Sequence, residues 1–374
     1  MFSDFDRQAM QRALELAARG LHSTDPNPRV GCVIARGERI VGEGWHERAG
    51  EAHAEVAALR AAGPQASGAT VYLTLEPCSH QGRTAPCTLA LTAARVARVV
   101  YATPDPNPKV NGRGAEALRA AGMTVESGLL EAEARELNAG FMKRMERGRP
   151  FVRVKLAMSL DGRTALASGE SKWISGEAAR EDVQAWRARS SAVLTGVGTV
   201  LADDPRLDVR LGATGAGERR QPLRVVLDGR LRTPPSARLF TGGGEVLILT
   251  ALESLDEGRA AALSATGARV ETLPAAGGRL ELPAVLERLA ELEANEVLVE
   301  AGATLAGEWL RLQLADEVLL YVAPKLLGSA ARGLVELPAL ARLSDAISFT
   351  IIESQPVGAD LRLRLRPAPA TSQV

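Results

Sequence analysis

His53, Cys78 and Cys87 could hold a metal ion, and Glu55 stands two residues from the histidine. One imidazole and two thiolates form a soft ligand set that zinc takes in catalytic sites, where a fourth position stays open for water. Zinc lowers the pKa of that water towards neutrality. A nearby carboxylate such as Glu55 can carry the proton without binding the ion itself. The set is suited to hydrolysis with water as nucleophile.

The order of the residues adds detail. His53-Ala54-Glu55 precedes Glu76-Pro77-Cys78, and Cys87 follows, in the H-x-E then P-C pattern of zinc deaminases. That pattern separates its cysteines by two residues, whereas eight, Ser79 to Pro86, separate them here. Pro86-Cys87 can open a helix, so both sulfurs can still return to one ion. The long gap counts against a generic cytidine-deaminase label. Cys32 lies in the apolar run Val30 to Ala35 and reads as a small core residue. His46 reads as a substrate contact or a loop residue, His80 as substrate contact or solvent-facing, and His22 as an ordinary residue near a helix end.

The second half offers other chemistry. No strand–GxGxxG–helix unit opens either half, so a Rossmann site is not indicated. Gly196-Val197-Gly198-Thr199 and Gly302-Ala303-Thr304 each follow an apolar strand, and exposed N–H groups at such ends favour anions. Only five of the 45 basic residues are Lys. Lys155 lies inside an apolar strand, where a compact ammonium on a flexible stem suits a task that Arg cannot do; snorkelling is the plainer alternative.

Regular elements must position these groups. Helical spacing runs from Phe5 to Ala17. Strands are expected at Arg29–Ala35, Arg39–Trp45, Thr70–Leu75 and Arg98–Ala102, with helices at Ala52–Ala62, Pro86–Ala94 and Ala115–Ala121. This alternation predicts a sheet sandwiched by helices. One helix is expected from Leu130 to about Met145, and Gly148-Arg149-Pro150 then breaks the chain. The expected domains are 1–147 and 148–374. The second restarts with a strand at Phe151–Met158. It continues through helix Glu177–Arg189, strands Ala192–Thr195, Leu223–Leu227 and Val246–Thr250, helix Leu282–Leu292, strand Glu296–Glu300 and helix Thr304–Leu312. Further strands are expected at Asp316–Ala323, Ser348–Glu353 and Asp360–Leu365, with Gly212–Gly217 as a surface linker.

The 374 residues carry no formal net charge, which argues against a nucleic-acid partner and for a small-molecule substrate. No signal segment or membrane span is visible, and three cysteines do not make a disulfide framework. A cytoplasmic enzyme is expected. The rival readings are a tRNA- or nucleoside-type deaminase and a deaminase whose second half is only a scaffold.

Longer strings carry a resemblance. Pro26-Asn27-Pro28-Arg29-Val30-Gly31-Cys32, Glu76 to Thr84 and Asp105 to Gly114 resemble the pyrimidine deaminase of riboflavin biosynthesis. Lys155 to Arg163, Ala202 to Leu207 and Glu300-Ala301-Gly302 resemble its partner reductase. The chain is similar, over nearly its whole length, to the family of bifunctional deaminase–reductases. The resemblance implies a cytidine-deaminase-like α/β/α sandwich followed by a dihydrofolate-reductase-like α/β domain, with Zn2+ and NADPH as cofactors and a homo-oligomeric state. It implies that Asn27, His46, Arg83 and Asn107 hold substrate at the zinc site, although the family often has Lys at the place of Arg83. It gives Ala157, Trp173, Thr199, Asp203, Gly302, Ala303, Thr304 and Leu305 to the nicotinamide cofactor. Lys155, Ser171, Arg187, Leu207, Arg210 and Glu300 then face the reductase substrate, with Lys155 and Asp203 the candidates for assisting ring opening.

Overall fold

The computed structural model describes residues 1–79, 85–210 and 220–368. The expectations placed on Arg83, His80 and Gly212–Gly217 fall outside these residues. The chain divides into two compact units, Met1–Arg149 and Pro150–Val374.

The first unit begins with α1 (Asp4–Ala18), followed by β1 (Gly31–Arg36), β2 (Arg39–Trp45), α2 (Ala54–Ala62) and β3 (Thr70–Leu75). Then come α3 (Cys87–Ala93), β4 (Arg98–Thr103), α4 (Arg113–Ala120), β5 (Thr124–Ser127), α5 (Glu131–Leu137) and α6 (Ala139–Arg147). The sheet order is β2-β1-β3-β4-β5. Alternating strand residues divide between two cores. Val33, Ala35, Tyr72 and Val100 pack with α1 and Ala134 of α5, while Cys32, Ile34, Val71, Leu73 and Val99 pack with α2 and Leu118 of α4. This is an α/β/α sandwich, and Cys32 is a core residue.

Two departures from the sequence reading share one cause. The expected helix from Leu130 to Met145 is two helices that meet at Asn138, and β1 starts at Gly31 rather than Arg29. The Asn138 amide accepts from Arg29 N at 2.8 Å and donates to Arg29 O at 2.9 Å. A side chain that mimics a backbone partner ends the helix and takes Arg29 out of the strand.

Asp6 ties α1 to the sheet. It forms a capping box with Ser3 and accepts from Tyr72 Oη at 2.7 Å and Arg98 Nη1 at 2.6 Å. Burial works to raise its pKa, but hydrogen bonds from Arg98, the Ser3 backbone and Tyr72 outweigh that and hold the carboxyl well below the usual range. A carboxylate depressed on folding adds stability above its unfolded pKa and loses it as pH falls towards the folded one. Asp6→Asn is therefore expected to cost about 1–2 kcal/mol at pH 7. Thermal unfolding checks this: the gap from the parent chain should narrow at pH 3, and an equal gap at both pH values would contradict it.

The second unit contains β6 (Phe151–Ser159), β7 (Arg163–Ala165), α7 (Glu177–Arg189), β8 (Ala192–Gly196), α8 (Val197–Asp203), β9 (Leu223–Leu227) and β10 (Val246–Ala251). It continues with α9 (Glu257–Ser264), β11 (Arg269–Leu273), the ribbon β12 (Ala275–Ala276) and β13 (Arg279–Leu280), α10 (Leu282–Glu291), β14 (Glu296–Glu300) and α11 (Ala303–Arg311). The last strands are β15 (Glu317–Ala323), β16 (Arg332–Gly333), β17 (Phe349–Val357) and β18 (Asp360–Pro367). Nine strands form one sheet in the order β11-β10-β9-β8-β14-β6-β15-β18-β17. The run from β11 to β15 is parallel, and β18 and β17 close it antiparallel.

Strand β6 is amphipathic. Val152, Val154 and Leu156 pack with α10 and α11. The other face carries Arg153, Lys155 and Ala157, the last against the core of α7. Arg153 is fully buried between Glu296 and Glu317, and Arg189 and Arg364 complete those carboxylates at 3.0 and 2.8 Å. Such a network needs every member, because removing one leaves a buried charge unpaired.

Candidate active sites

In the first unit, the turn into α2 and the end of β3 converge. His53 is the N-cap of α2, and Glu55 lies buried in its first turn. Cys78 follows β3, and Cys87 opens α3. His53 Nδ1 lies 3.1 Å from Cys87 Sγ and 3.6 Å from Cys78 Sγ, and the three ligand atoms fall within 4.8 Å of one another. Zn–N and Zn–S bonds at tetrahedral angles would separate such atoms by about 3.5 Å. The hydrogen bond from Cys87 holds the Cys78 thiol low, at about 4, and the resulting thiolate pushes Cys87 up. Two sulfurs and an imidazole gathered this closely, one sulfur favouring the thiolate, fit a divalent cation. Burial pushes the Glu55 carboxyl up, the Cys78 charge adds to this, and His53 opposes it.

Asn27 and His46 extend the cluster. Asn27 Nδ2 lies 3.0 Å from His46 Nε2, and His46 Nδ1 lies 3.1 Å from Ala52 O. The tautomer that satisfies both has Nδ1–H donating to the carbonyl and Nε2 accepting from the amide. Burial lowers the His46 pKa, in keeping with a neutral ring. Its ring stands edge-on to His53 with centroids 5.5 Å apart. His46 is 3% exposed with both nitrogens engaged. His46, expected as a substrate contact or a loop residue, thus stands between Asn27 and His53. Asn107 is half-buried in the loop after β4, and its Oδ1 accepts from Lys109 N at 3.0 Å, which leaves its amide nitrogen for another partner.

In the second unit, the functional candidates gather at the C-terminal ends of the central strands. Register places Lys155 opposite Glu300 on one side and Leu319 on the other. Arg187 Nε and Nη2 grip the Glu300 carboxylate at 2.5 and 2.9 Å, and Arg187 Nη1 donates to Asp208 O at 3.0 Å. Arg187, expected to face the reductase substrate, has its guanidinium on Glu300 and the Asp208 carbonyl and places a positive charge beside Lys155. Lys155 Nζ lies 5.8 Å from the Tyr321 ring centroid. Burial and the Arg187 charge lower its pKa against the pull of Glu300. Asp208 is 3% exposed and bridges Arg206 Nε at 2.9 Å and Arg210 Nη1 at 3.2 Å. Lys155, Arg187, Arg206 and Arg210 thus outnumber Glu300 and Asp208, a balance suited to an anion. Leu207 has its side chain in the core of α7 and a φ of 58°, so only its backbone is open to a ligand.

The two glycine turns are neighbours. A Cβ at Gly196 would lie 3.1 Å from Leu305 Cδ2, while Gly198 and Gly302 face open space. Thr195 Oγ1 donates to Glu300 O at 2.6 Å, joining the ends of β8 and β14. Thr199 is half-buried on α8. Ala303 opens α11 beside Thr304, whose hydroxyl donates to Glu336 at 2.8 Å. Trp173 is 63% exposed, with the Arg180 guanidinium 4.6 Å from its ring, and so is no core aromatic. Half-buried Ser171 is two residues away, and Lys172 Nζ donates to Asp203 O at 3.3 Å.

The profile of the cytidine and deoxycytidylate deaminase zinc-binding region matches residues 3–103, and that of the RibD C-terminal domain matches residues 150–363. The riboflavin biosynthesis protein RibD of Escherichia coli (strain K12) is 50% identical over 368 residues, covering 96% of this chain and 99% of its own length. The chain belongs to the RibD family. Acinetobacter baumannii RibD superposes with a TM-score of 0.90 at 46% identity over 98% of this chain and 99% of its own. A Thermotoga maritima diaminohydroxyphosphoribosylaminopyrimidine deaminase/5-amino-6-(5-phosphoribosylamino)uracil reductase superposes at 0.84 with 34% identity, over 97% and 99%. RibD-family membership makes this chain a riboflavin-biosynthesis enzyme with two activities, a hydrolytic deaminase and a reductase. A zinc-binding region and a reductase domain imply zinc and a nicotinamide cofactor. No helix among the described residues is long and apolar enough to cross a membrane.

Three acidic residues of this RibD chain escaped the sequence reading as site elements. Asp208 could have been noticed from the string Arg206-Leu207-Asp208-Val209-Arg210, where an acid sits between two cations. Asp105 is buried, and desolvation together with the Glu76 and Cys78 charges pushes it up to about 7. Glu76 appeared only as part of a motif.

Proposed function

We propose that the first unit hydrolyses the 2-amino group of 2,5-diamino-6-(5-phosphoribosylamino)pyrimidin-4-one, and that the second uses NADPH to reduce the ribosyl group of the product to ribityl. The observation that carries this reading is the pair of unlike clusters, a His–Cys–Cys–Glu set in one unit and a cationic Lys155–Glu300–Arg187 set in the other. His53, Cys78 and Cys87 are the residues that would hold zinc. A zinc ion there supplies a water of lowered pKa. Glu55 takes a proton from the water and delivers it to the leaving amine, so that water and the 2-amino group become the 2-oxo group and ammonia. Asn27 and Asn107 hold the pyrimidine, with Arg83 at the phosphate.

In the reductase, the glycine turns Gly196–Thr199 and Gly302–Leu305, with Ala157, Trp173 and Asp203, hold the cofactor, which supplies a hydride. Lys155 protonates the ring oxygen as the ribose opens. Glu300 holds the sugar hydroxyls, and Ser171, Arg210 and the Leu207 backbone take the phosphate end. Glu300 is not the proton donor, since the bidentate grip of Arg187 and the Lys155 charge keep it ionised against the opposing effect of burial. The open edge strand β17, with Ile351 60% exposed, supports a homo-oligomer.

Metal analysis and two assays test the reading. The purified chain is expected to hold one zinc, release ammonia from the diaminopyrimidine and oxidise NADPH only with the deaminated product. Cys87→Ser should lose the zinc and the ammonia release together and keep NADPH oxidation. Full zinc content in Cys87→Ser would remove Cys87 from the ligand set. Failure of the parent chain to oxidise NADPH with product present would refute the proposed cofactor–substrate pairing.

A further inference from the structure

Glu76 is buried at the end of β3, two residues before Cys78, and is 3% exposed. Its backbone N–H continues the sheet by donating to Thr103 O at 3.0 Å. Its carboxylate collects four backbone N–H groups. Oε2 accepts from Asp105 N at 3.3 Å and Gly112 N at 3.0 Å, and Oε1 from Gly114 N at 3.0 Å and Ala115 N at 3.1 Å. The last three donors form the first turn of α4, whose N-cap is Gly112 with no side-chain cap of its own. One carboxylate from another element therefore closes both ends of the segment 105–115. A carboxylate at a helix start accepts otherwise orphaned N–H groups and meets the positive end of the dipole.

The same junction is tight in a second way. A Cβ at Gly114 would lie 2.0 Å from Pro77 O and 3.1 Å from Glu76 Oε1, so the start of α4 is pressed against the Pro77 carbonyl that leads into Cys78. On the far side, Thr88 N donates to Cys78 O at 3.2 Å, which fixes the turn to α3. The Cys78 turn is held between α3 and α4, and the loop carrying Asn107 hangs between the two points Glu76 grips.

We infer that Glu76 is a positioning residue of the deaminase, locking the Asp105–Ala115 segment to the turn that carries Cys78. This rests on the reading of Asn107 as a substrate contact. The hydrogen bonds of the Glu76 carboxylate go to backbone N–H groups and not to the metal-ligand atoms. Its removal should loosen the wall that holds the pyrimidine and leave the three ligand atoms in place.

Glu76→Gln in the full chain tests this, because it keeps size and exchanges one acceptor oxygen for an NH2 facing N–H donors. KM for the diaminopyrimidine is expected to rise about tenfold or more, the scale of one lost hydrogen bond to a charged group, with kcat within about threefold. Zinc stays at one per chain, NADPH oxidation is unchanged, and amide exchange at Gly112, Gly114 and Ala115 accelerates. Glu76→Asp, which keeps the charge but shortens its reach to the four N–H groups, should give the same rise in KM if Glu76→Gln fails to fold. An unchanged KM, a loss of zinc, or a fall in kcat at constant KM would overturn the inference. Asn107→Ala separates the two readings. If it raises KM while Glu76→Gln is silent, the Glu76 role falls and the Asn107 contact stands. If it is silent while Glu76→Gln raises KM, the segment is still positioned by Glu76 and its substrate contact lies at another residue.

Discussion

Glu55→Gln is expected to remove nearly all ammonia release, by about 10²–10⁴-fold in kcat, while zinc content and NADPH oxidation stay at parent levels. The side chain is buried in the first turn of α2, and that turn is fixed at its start by His53. Glutamine has the same shape, so helix and ligand geometry survive. What it lacks is a site for a mobile proton. Burial raises the Glu55 carboxyl, which brings it nearer to the amine and water it must exchange with, and proton transfer works best when donor and acceptor are matched in this way. Ammonia release, zinc analysis and NADPH oxidation with supplied product decide the matter. If zinc falls with activity, Glu55 serves the metal and not the proton. If both activities fall in a folded, zinc-loaded protein, the two sites are not independent.

The sequence exposed the sites unequally. The His53, Glu55, Cys78 and Cys87 set was readable because its residue types are rare and each has narrow chemical use. Only its geometry was missing, and α2 and the end of β3 provide that. Lys155 was readable for a similar reason, as a lysine in an arginine-rich chain. The reading of its strand as plainly apolar was incomplete, since Arg153 and Lys155 share a polar face of β6 opposite Val152, Val154 and Leu156. Partners at long range were not visible. Nothing local links Arg153 to Glu296 and Glu317, or Asn138 to Arg29, because sheet order decides these pairs. The edge strand β11 and helix α9 also went unread; β11 is only half-buried and α9 buries only Leu263, so neither has a strong apolar period. The partners of His46 were not visible either, since Asn27 and the Ala52 carbonyl reach it from separate loops.

The counterpart in the second unit is Lys155→Met, expected to lower the reductase kcat by about 10²–10⁴-fold with ammonia release intact. Methionine keeps most of the stem volume and removes the ammonium. Arg187 keeps Glu300 paired, so no buried carboxylate is left alone, and cofactor affinity should change little. Two readings of the ammonium compete: a proton donor at the ring oxygen, or a fixed positive charge. Lys155→Arg separates them, since guanidinium keeps the charge and does not give up a proton in this range. A donor role predicts that Lys155→Arg is nearly as slow as Lys155→Met, and near-parent activity would leave only the charge. The pH profile carries the sign. Burial and Arg187 lower the lysine pKa, so the parent rate should decline as pH rises through that lowered value, well before an ordinary lysine loses its proton. Neither variant should show that limb. Stability should move the opposite way from activity. A lysine whose pKa is lowered on folding binds its proton more weakly in the native state, which costs stability below its unfolded pKa. Lys155→Met should therefore unfold at the same temperature as the parent or higher at pH 7. A clear drop in that temperature would show that the ammonium stabilises the fold, and that loss of activity in this variant reports loss of structure.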